Sequence, residues 1–215
     1  MRSMFDQQLK TLNEEMLYMG GLCEDTIQQT IEALMSGDVK KARDLNNMMS
    51  QLTQQERSIE NICLKLLMQQ QPVARDLRAI SSSLKMVTDM ERIGIQACEI
   101  AEIIAAGNVV RATDKVDFQE LSNEVSHMVQ MAMMAYDKKD MNLADEVIKY
   151  DDVVDKLFCD IREDLIKQLK DDTNDAECFI DMLMIDKYFE RIGDHAVNIA
   201  SWVKFSITGE IQIVE

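Results

Sequence analysis

The sequence predicts an all-α protein made of two tandem three-helix bundles, six long helices in all, related by an internal duplication. Three observations carry that reading. The 215 residues include one proline, seven glycines and only 5% aromatics, too few breakers for a sandwich or barrel of many short strands. Seventeen methionines point the same way, because methionine is a good helix former and an adaptable core filler. The chain also repeats itself over about half its length.

The repeat is visible residue by residue. Ala42-Arg43-Asp44-Leu45 aligns with Ala144-Asp145-Glu146-Val147, which places Leu45, Leu52 and Ile59 on Val147, Val154 and Ile161, 102 positions on. Asp89-Met90-Glu91-Arg92-Ile93-Gly94 aligns with Tyr188-Phe189-Glu190-Arg191-Ile192-Gly193, 99 positions on. A three-residue length difference therefore lies between, near Gln71-Pro72 and Asp171-Asp172. The expected division is residues 1–108 and 109–215.

Each half reads as three helices. The first runs from about Phe5 to Met35 and breaks at Ser36-Gly37-Asp38, where Asp38 is a suitable N-cap. The second runs to about Gln70 on a stripe of Leu45, Met48, Leu52, Ile59, Ile62 and Leu66. Pro72 stops it, since proline lacks the N–H and restricts the residue before it. The third runs from about Ala74 to Ala106, with Gly107 just past its end. Asn108-Val109-Val110-Arg111-Ala112-Thr113 is the linker. In the second half one helix ends near Lys138, and Asp140 caps the next, which runs to about Lys170. Asp171-Asp172-Thr173-Asn174 is the turn, and Asn174 with Glu177 has capping-box spacing. The last helix reaches at least Trp202.

Composition narrows the function. With 47% hydrophobic and 29% charged residues, a packed core is expected rather than disorder. Thirty-nine acids against 23 bases, a net charge of −16, excludes the basic footprint that nucleic acid requires and argues against adhesion to an anionic membrane. No stretch is long and apolar enough to span a bilayer, and the polar Met1-Arg2-Ser3-Met4-Phe5-Asp6-Gln7 lacks a signal-peptide core. Five cysteines, odd in number and never in C-x-x-C, argue against a disulfide framework or zinc knuckle; most of them read as small core residues in a reducing cytoplasm.

The informative residues are carboxylates inside apolar stripes. The last helix reads Phe179, Leu183, Asp186, Glu190, Gly193, Val197, Ala200; the third reads Ile80, Leu84, Val87, Glu91, Gly94, Cys98, Ala101. A buried carboxylate without a partner costs several kcal/mol, so something must offset it. The glycine three residues on lets a neighbour approach closely. For Glu91 a structural ion pair or capping network is available, with Arg92 beside it and Arg75, Asp76 and Arg78 opening the same helix.

More acids converge on Glu190. Asp194 lies one turn on, and the preceding helix carries Asp151, Asp152 and Asp155 beside Val147, Val154 and Ile161. Facing helices then present Asp151 with Asp155 and Glu190 with Asp194. Four like charges at that spacing repel unless some are protonated or a cation sits among them. All-oxygen ligands suit a hard or borderline cation, Mg, Mn, Fe, Ca or Zn, with Asp152 and Asp186 as further ligands. The alternative is a solvated acidic face on an acidic protein. The matching first-half positions are Met49, Thr53, Glu91 and Ile95, so one metal site is expected, not two.

Other signals are weaker. Glu124-Val125-Ser126-His127 has the E-x-x-H spacing of di-iron bundles, but that chemistry needs two such motifs, and a surface pair is expected. His195, beside Asp194, is either a further ligand or a helix-face residue. Met128, Met131, Met133 and Met134 read as core or bundle–bundle packing, with a partner groove as the alternative. There is no G-x-x-x-x-G-K-[ST], G-x-G-x-x-G or nucleophile elbow. A non-enzymatic adaptor, a carboxylate-bridged metalloenzyme and a metal store stay open on these residues.

The duplicated E-R-I-G, the run Gln70-Gln71-Pro72-Val73-Ala74-Arg75-Asp76-Leu77-Arg78, the run Glu190-Arg191-Ile192-Gly193-Asp194-His195-Ala196-Val197-Asn198-Ile199-Ala200, and the opening Phe5-Asp6-Gln7-Gln8-Leu9 with Leu12 together resemble the PhoU family, over essentially the whole chain. The resemblance implies a cytoplasmic, commonly dimeric, regulator of phosphate homeostasis. It implies action with a phosphate ABC transporter and a phosphate-sensing histidine kinase, repressing phosphate-starvation genes when phosphate is plentiful. It also implies metal clusters held by acid-x-x-x-acid pairs, one per repeat. Here the second-repeat pairs match at Asp151 with Asp155 and at Glu190 with Asp194, whereas Met49, Thr53 and Ile95 depart from the pattern.

Overall fold

A computed structural model of the chain describes residues 2–69, 72–109, 116–171 and 175–210. The first rod is α1 (Arg2–Ser36). It buries Phe5, Leu12, Met16, Met19, Cys23, Ile27 and Leu34, the steps of three, four and seven that mark one helix face. Gly37, at φ 63°, ends it, and Asp38 Oδ1 then accepts from the backbone N–H of Lys40 and Lys41 at 3.0 Å each. The second rod carries one break that the sequence expectation did not include. It divides at Leu45 into α2 (Val39–Asp44) and α3 (Asn46–Gln69). Leu45 is buried and stays in the right-handed region (φ −67°, ψ −19°), while Met48 N–H bonds back to its carbonyl at 2.9 Å. The break is thus one tightened i→i+3 turn within a rod, and seven helical segments make six rods among the described residues.

α4 (Ala74–Ala106) starts directly after Pro72 and Val73 and closes on Gly107 in the left-handed conformation, φ 87°. In the second half come α5 (Gln119–Lys138), α6 (Met141–Asp171) and α7 (Ala176–Thr208). Asp140 Oδ1 caps α6 through the N–H groups of Asn142 (2.9 Å) and Leu143 (3.2 Å). Gln70-Gln71, linker residues 110–113, Asp172-Thr173 and the Asn174 of the expected capping box lie outside the described residues. Cys23, Cys63, Cys98 and Cys178 are buried as expected, and Cys159 is exposed. No helix among the described residues is long and apolar enough to cross a membrane.

α1, α3 and α4 pack on one another, as do α5, α6 and α7, and the halves join through α4 against α7 and α1 against α5. α4 and α7 run antiparallel. Arg78 lies against Gly209, Asp89 accepts from Asn198 Nδ2 at 3.2 Å, and Glu99 faces Tyr188. The 99-residue offset exchanges the Asp89–Asn198 pair with the Tyr188–Glu99 pair. The two halves therefore meet about a pseudo-two-fold axis, each presenting equivalent surface to the other, as the protomers of a symmetric dimer do. Across α1–α5, Gly20 leaves the space that Met133 fills. Met128 and Met131 are also buried, so these three methionines are core and bundle–bundle packing, whereas Met134 is 41% exposed.

Candidate functional site

The carboxylates singled out by the sequence lie along the seam of α6 and α7. Asp151 and Asp155 are one turn apart on α6; Glu190 and Asp194 are one turn apart on α7. Their exposure is graded: Asp155 and Asp194 face solvent, Asp151 and Glu190 are half-buried, and Asp186 is fully buried at 0%. Gly193 lies in the seam: a Cβ there would stand 3.3 Å from Val154 Cγ1 and 3.6 Å from Asp151 Oδ1, which places the Asp151 carboxylate beside the α7 backbone.

The acids feel one another. Burial, and then the charges of Asp155, Asp194, Glu190 and Asp152, push Asp151 up to about 6. Asp155 is raised by burial and then by Glu190 and Asp152, with Lys187 opposing. Asp194 is raised by burial and then by Glu190, with Lys187 opposing. Asp151, Asp155, Glu190 and Asp194 thus share one electrostatic site, while Asp152 is exposed and contributes only its field. Among the described residues no three histidine, cysteine or acid side chains are already arranged as a cation cage.

A lysine that the sequence reading passed over sits in this field. Lys187 Nζ bonds both carboxylate oxygens of Glu190, at 2.6 and 2.5 Å, and also lies 5.3 Å above the Phe158 ring. The signal was present: Lys187 stands three residues before Glu190, on the same helix face. Two buried acid groups are left over. Among the described residues, Asp151 Oδ1 and both oxygens of Asp186 have no hydrogen-bond partner. Burial, and then the Glu190 charge, pushes Asp186 up to about 8 despite the opposing charges of Arg162 and Lys187.

The first half handles its glutamate differently. Glu91 accepts a hydrogen bond from Thr53 Oγ1 at 2.8 Å, so its offset is a hydroxyl from the facing helix, not the Arg92, Arg75 or Arg78 partner considered from sequence. Gly94 is packed by Leu52, whose Cδ1 would lie 2.5 Å from an added Cβ. No acid approaches there as Asp151 approaches Gly193.

Three other residues find partners the sequence left open. His195 Nδ1 lies 2.9 Å from Asp89 Oδ1 across α4–α7, so it ties the halves together, and its charge acts on the neighbouring Asp194. Glu124 accepts from the Tyr150 hydroxyl, and His127 stands edge-on to the Tyr150 ring at 5.5 Å between centroids. The E-x-x-H spacing therefore brackets a tyrosine, and the expected simple surface pair is corrected to a three-residue cluster with His127 exposed.

The PhoU domain model matches twice, over residues 16–104 and 118–203. The phosphate-specific transport system accessory protein PhoU homolog of Clostridium acetobutylicum is 34% identical, covering 97% of this chain and 96% of its own. The corresponding Pseudomonas aeruginosa protein is 32% identical, covering 95% and 86%. The crystal structure of PhoU from Pseudomonas aeruginosa superposes with a TM-score of 0.90 at 31% identity, covering 96% of this chain and all of that one. The phosphate transport system regulatory protein PhoU from Streptococcus pneumoniae, 23% identical, shares the fold at a TM-score of 0.89. With one family domain in each duplicated half, and the same six-rod architecture in solved relatives, this chain belongs to the PhoU family.

Proposed function

We propose that this chain is a cytoplasmic, dimeric regulator of phosphate uptake and phosphate-starvation signalling. In this reading it is a non-enzymatic adaptor between a phosphate ABC transporter ATPase and a sensor histidine kinase, and residues 1–108 and 109–215 are its two working halves. The near full-length likeness to transport-system accessory proteins supports the role. The long helices of a chain with no nucleotide, nucleophile or redox motif offer extended faces for partners.

The single observation that supports a cation in this role is the α6–α7 seam. Asp151, Asp155, Glu190 and Asp194 repel one another there, and a buried Asp151 oxygen lacks a partner. The residues present fit a hard divalent or trivalent cation, such as Mg, Mn, Fe, Ca or Zn, with those four as ligands and Asp186 and Asp152 in support. Bound, the ion supplies positive charge that offsets the acids and fixes α6 against α7. Lys187 supplies part of that charge already, so the Glu190–Lys187 pair must open for Glu190 to become a ligand.

Elemental analysis of the full chain, purified without chelator or affinity tag, tests the site against Asp155→Ala. Metal is expected in the parent and strongly reduced in the variant; equal metal in both overturns the site. Retention by immobilised transporter ATPase or kinase tests the adaptor. Folded protein retained by neither overturns that role and leaves the metal result standing.

A further inference from the structure

We infer that a hollow at the junction of the two halves, lined by Arg75, Arg78 and Lys139, is a binding site for a multivalent phosphoryl-type oxyanion. The chain carries a net charge of −16, yet among the described residues this hollow of about 310 Å³ is lined by three cations and no carboxylate, with Ser206, Ala79 and Ile207 completing it. It shares Arg75, Lys139 and Ser206 with a larger hollow of about 540 Å³, which adds Lys10 together with Asp76 and Asp137.

Helix ends account for two of the cations. Lys139 closes α5, and Arg78 lies against Gly209 at the last turn of α7, so both meet the negative ends of helix dipoles. Arg75 has no such reason. It sits in the first turn of α4, where the positive helix end disfavours a cation, and among the described residues neither it nor Lys139 makes an ion pair through its side chain. Arg78 Nε is buried with no hydrogen-bond partner among the described residues. Val73 provides no side-chain cap, so the first N–H groups of α4 also lack a side-chain acceptor. Two guanidinium forks and an ammonium around one space match the oxygens of a phosphoryl group, and a dianion relieves their mutual repulsion.

The duplication does not demand this arrangement. At the opposite end of the α4–α7 pair, the position equivalent to Arg78 is Glu177, which with Asp181 accepts from Asn108 at 3.4 and 3.2 Å. The cationic end is a feature of one half only. It is also remote from the acidic seam, since Ser206 lies sixteen residues beyond Glu190, roughly 24 Å along α7. The cationic hollow and the proposed cation site are therefore separate places on the molecule.

Isothermal titration of the full chain in chelator tests it, with inorganic phosphate in one arm and ATP in the other. Saturation by phosphate identifies the free ion as the source; saturation by ATP alone identifies a phosphoryl group on a nucleotide. In either case Arg75→Gln and Lys139→Gln should each weaken binding about tenfold, and Asp155→Ala should leave it unchanged. Failure of both ligands to saturate at about 10 mM, well above a millimolar dissociation constant, overturns the site. So does unchanged binding in both Gln variants. If Arg75→Gln melts early, Lys139→Gln and Arg75→Lys, which keeps charge but loses the fork, decide the matter.

Discussion

The two faces built from α3 with α4 and from α6 with α7 occupy equivalent places in the duplication and solve one problem in two ways. Each puts a glutamate in an apolar stripe, followed three residues on by a glycine against the facing helix. In the first half the facing residues are Leu52 and Thr53: the leucine fills the space at Gly94 and the threonine hydroxyl satisfies Glu91. In the second they are Val154 and Asp155, with Asp151 drawn up to Gly193, and Glu190 must be held by Lys187. The scaffold tolerates a carboxylate at this position; the facing residues decide whether it meets a hydroxyl, as Glu91 meets Thr53, or further carboxylates, as Glu190 does.

The sharpest way to separate the two faces is pH, measured in chelator. Asp186 has no counterpart acid in the first stripe, where Val87 stands. Its folded-state value of about 8 lies far above the usual carboxylate range near 4. Between those limits the folded protein holds a proton that the unfolded chain has released, so its contribution to stability falls as pH rises from about 4 to about 8 and is flat beyond. Asp186→Asn removes that dependence. Chemical denaturation at pH 5 and pH 8 should show the parent losing on the order of 3 kcal/mol more than the variant, with the Asp186→Asn variant the more stable protein at pH 8. Equal pH dependence in the two would mean the buried carboxyl is matched by a partner in solution.

Gly94 and Gly193 distinguish the faces by packing. Alanine gains about 1 kcal/mol over glycine inside a helix, whatever the neighbours. At Gly94 the new Cβ meets Leu52 Cδ1 at 2.5 Å, inside a core where Leu52 is fully buried, and overpacking of that kind costs about 1–3 kcal/mol. At Gly193 the nearest atom is 3.3 Å away and the next, Asp151 Oδ1, belongs to a side chain that can turn toward solvent. Gly94→Ala should therefore lower stability by up to about 2 kcal/mol, while Gly193→Ala should stay within about 1 kcal/mol of the parent or exceed it. Thermal melts of the pair check it, and a reversed order would show the second seam to be the tighter one.

Much of this difference was legible in sequence because it is carried by residue identity at matched positions: Met49, Thr53 and Ile95 against Asp151, Asp155 and Asp194. The rods, the Asp38 and Asp140 caps and the Gly107 end followed from periodicity and capping chemistry, which are local. What escaped was set by tertiary neighbours. The break at Leu45 leaves no mark such as proline or glycine, since the residue remains right-handed. His195 stands beside Asp194 in sequence, but its ring turns to Asp89 on α4, a pairing fixed by how the halves dock. Lys187 was readable by spacing yet masked by the arginines adjoining each glutamate, which point elsewhere on the helix.

Thr53 gives the smallest effect and the closest test of the comparison. Its hydroxyl is the sole device by which the first face satisfies Glu91 among the described residues. Thr53→Val keeps shape and removes the donor, and because Glu91 is only half-buried and can turn to water, the loss should be about 1 kcal/mol, below the full penalty for an orphaned buried acceptor. Thr53→Asp instead recreates the second face's pair, an acid opposite an acid. Without a cation, like charges repel and the melting temperature should fall below that of Thr53→Val; millimolar Mn or Mg should recover part of the difference in Thr53→Asp and none in Thr53→Val. If the ion helps both variants equally, its effect is general screening of an acidic protein, and the facing residue at this position does not determine which half recruits a cation.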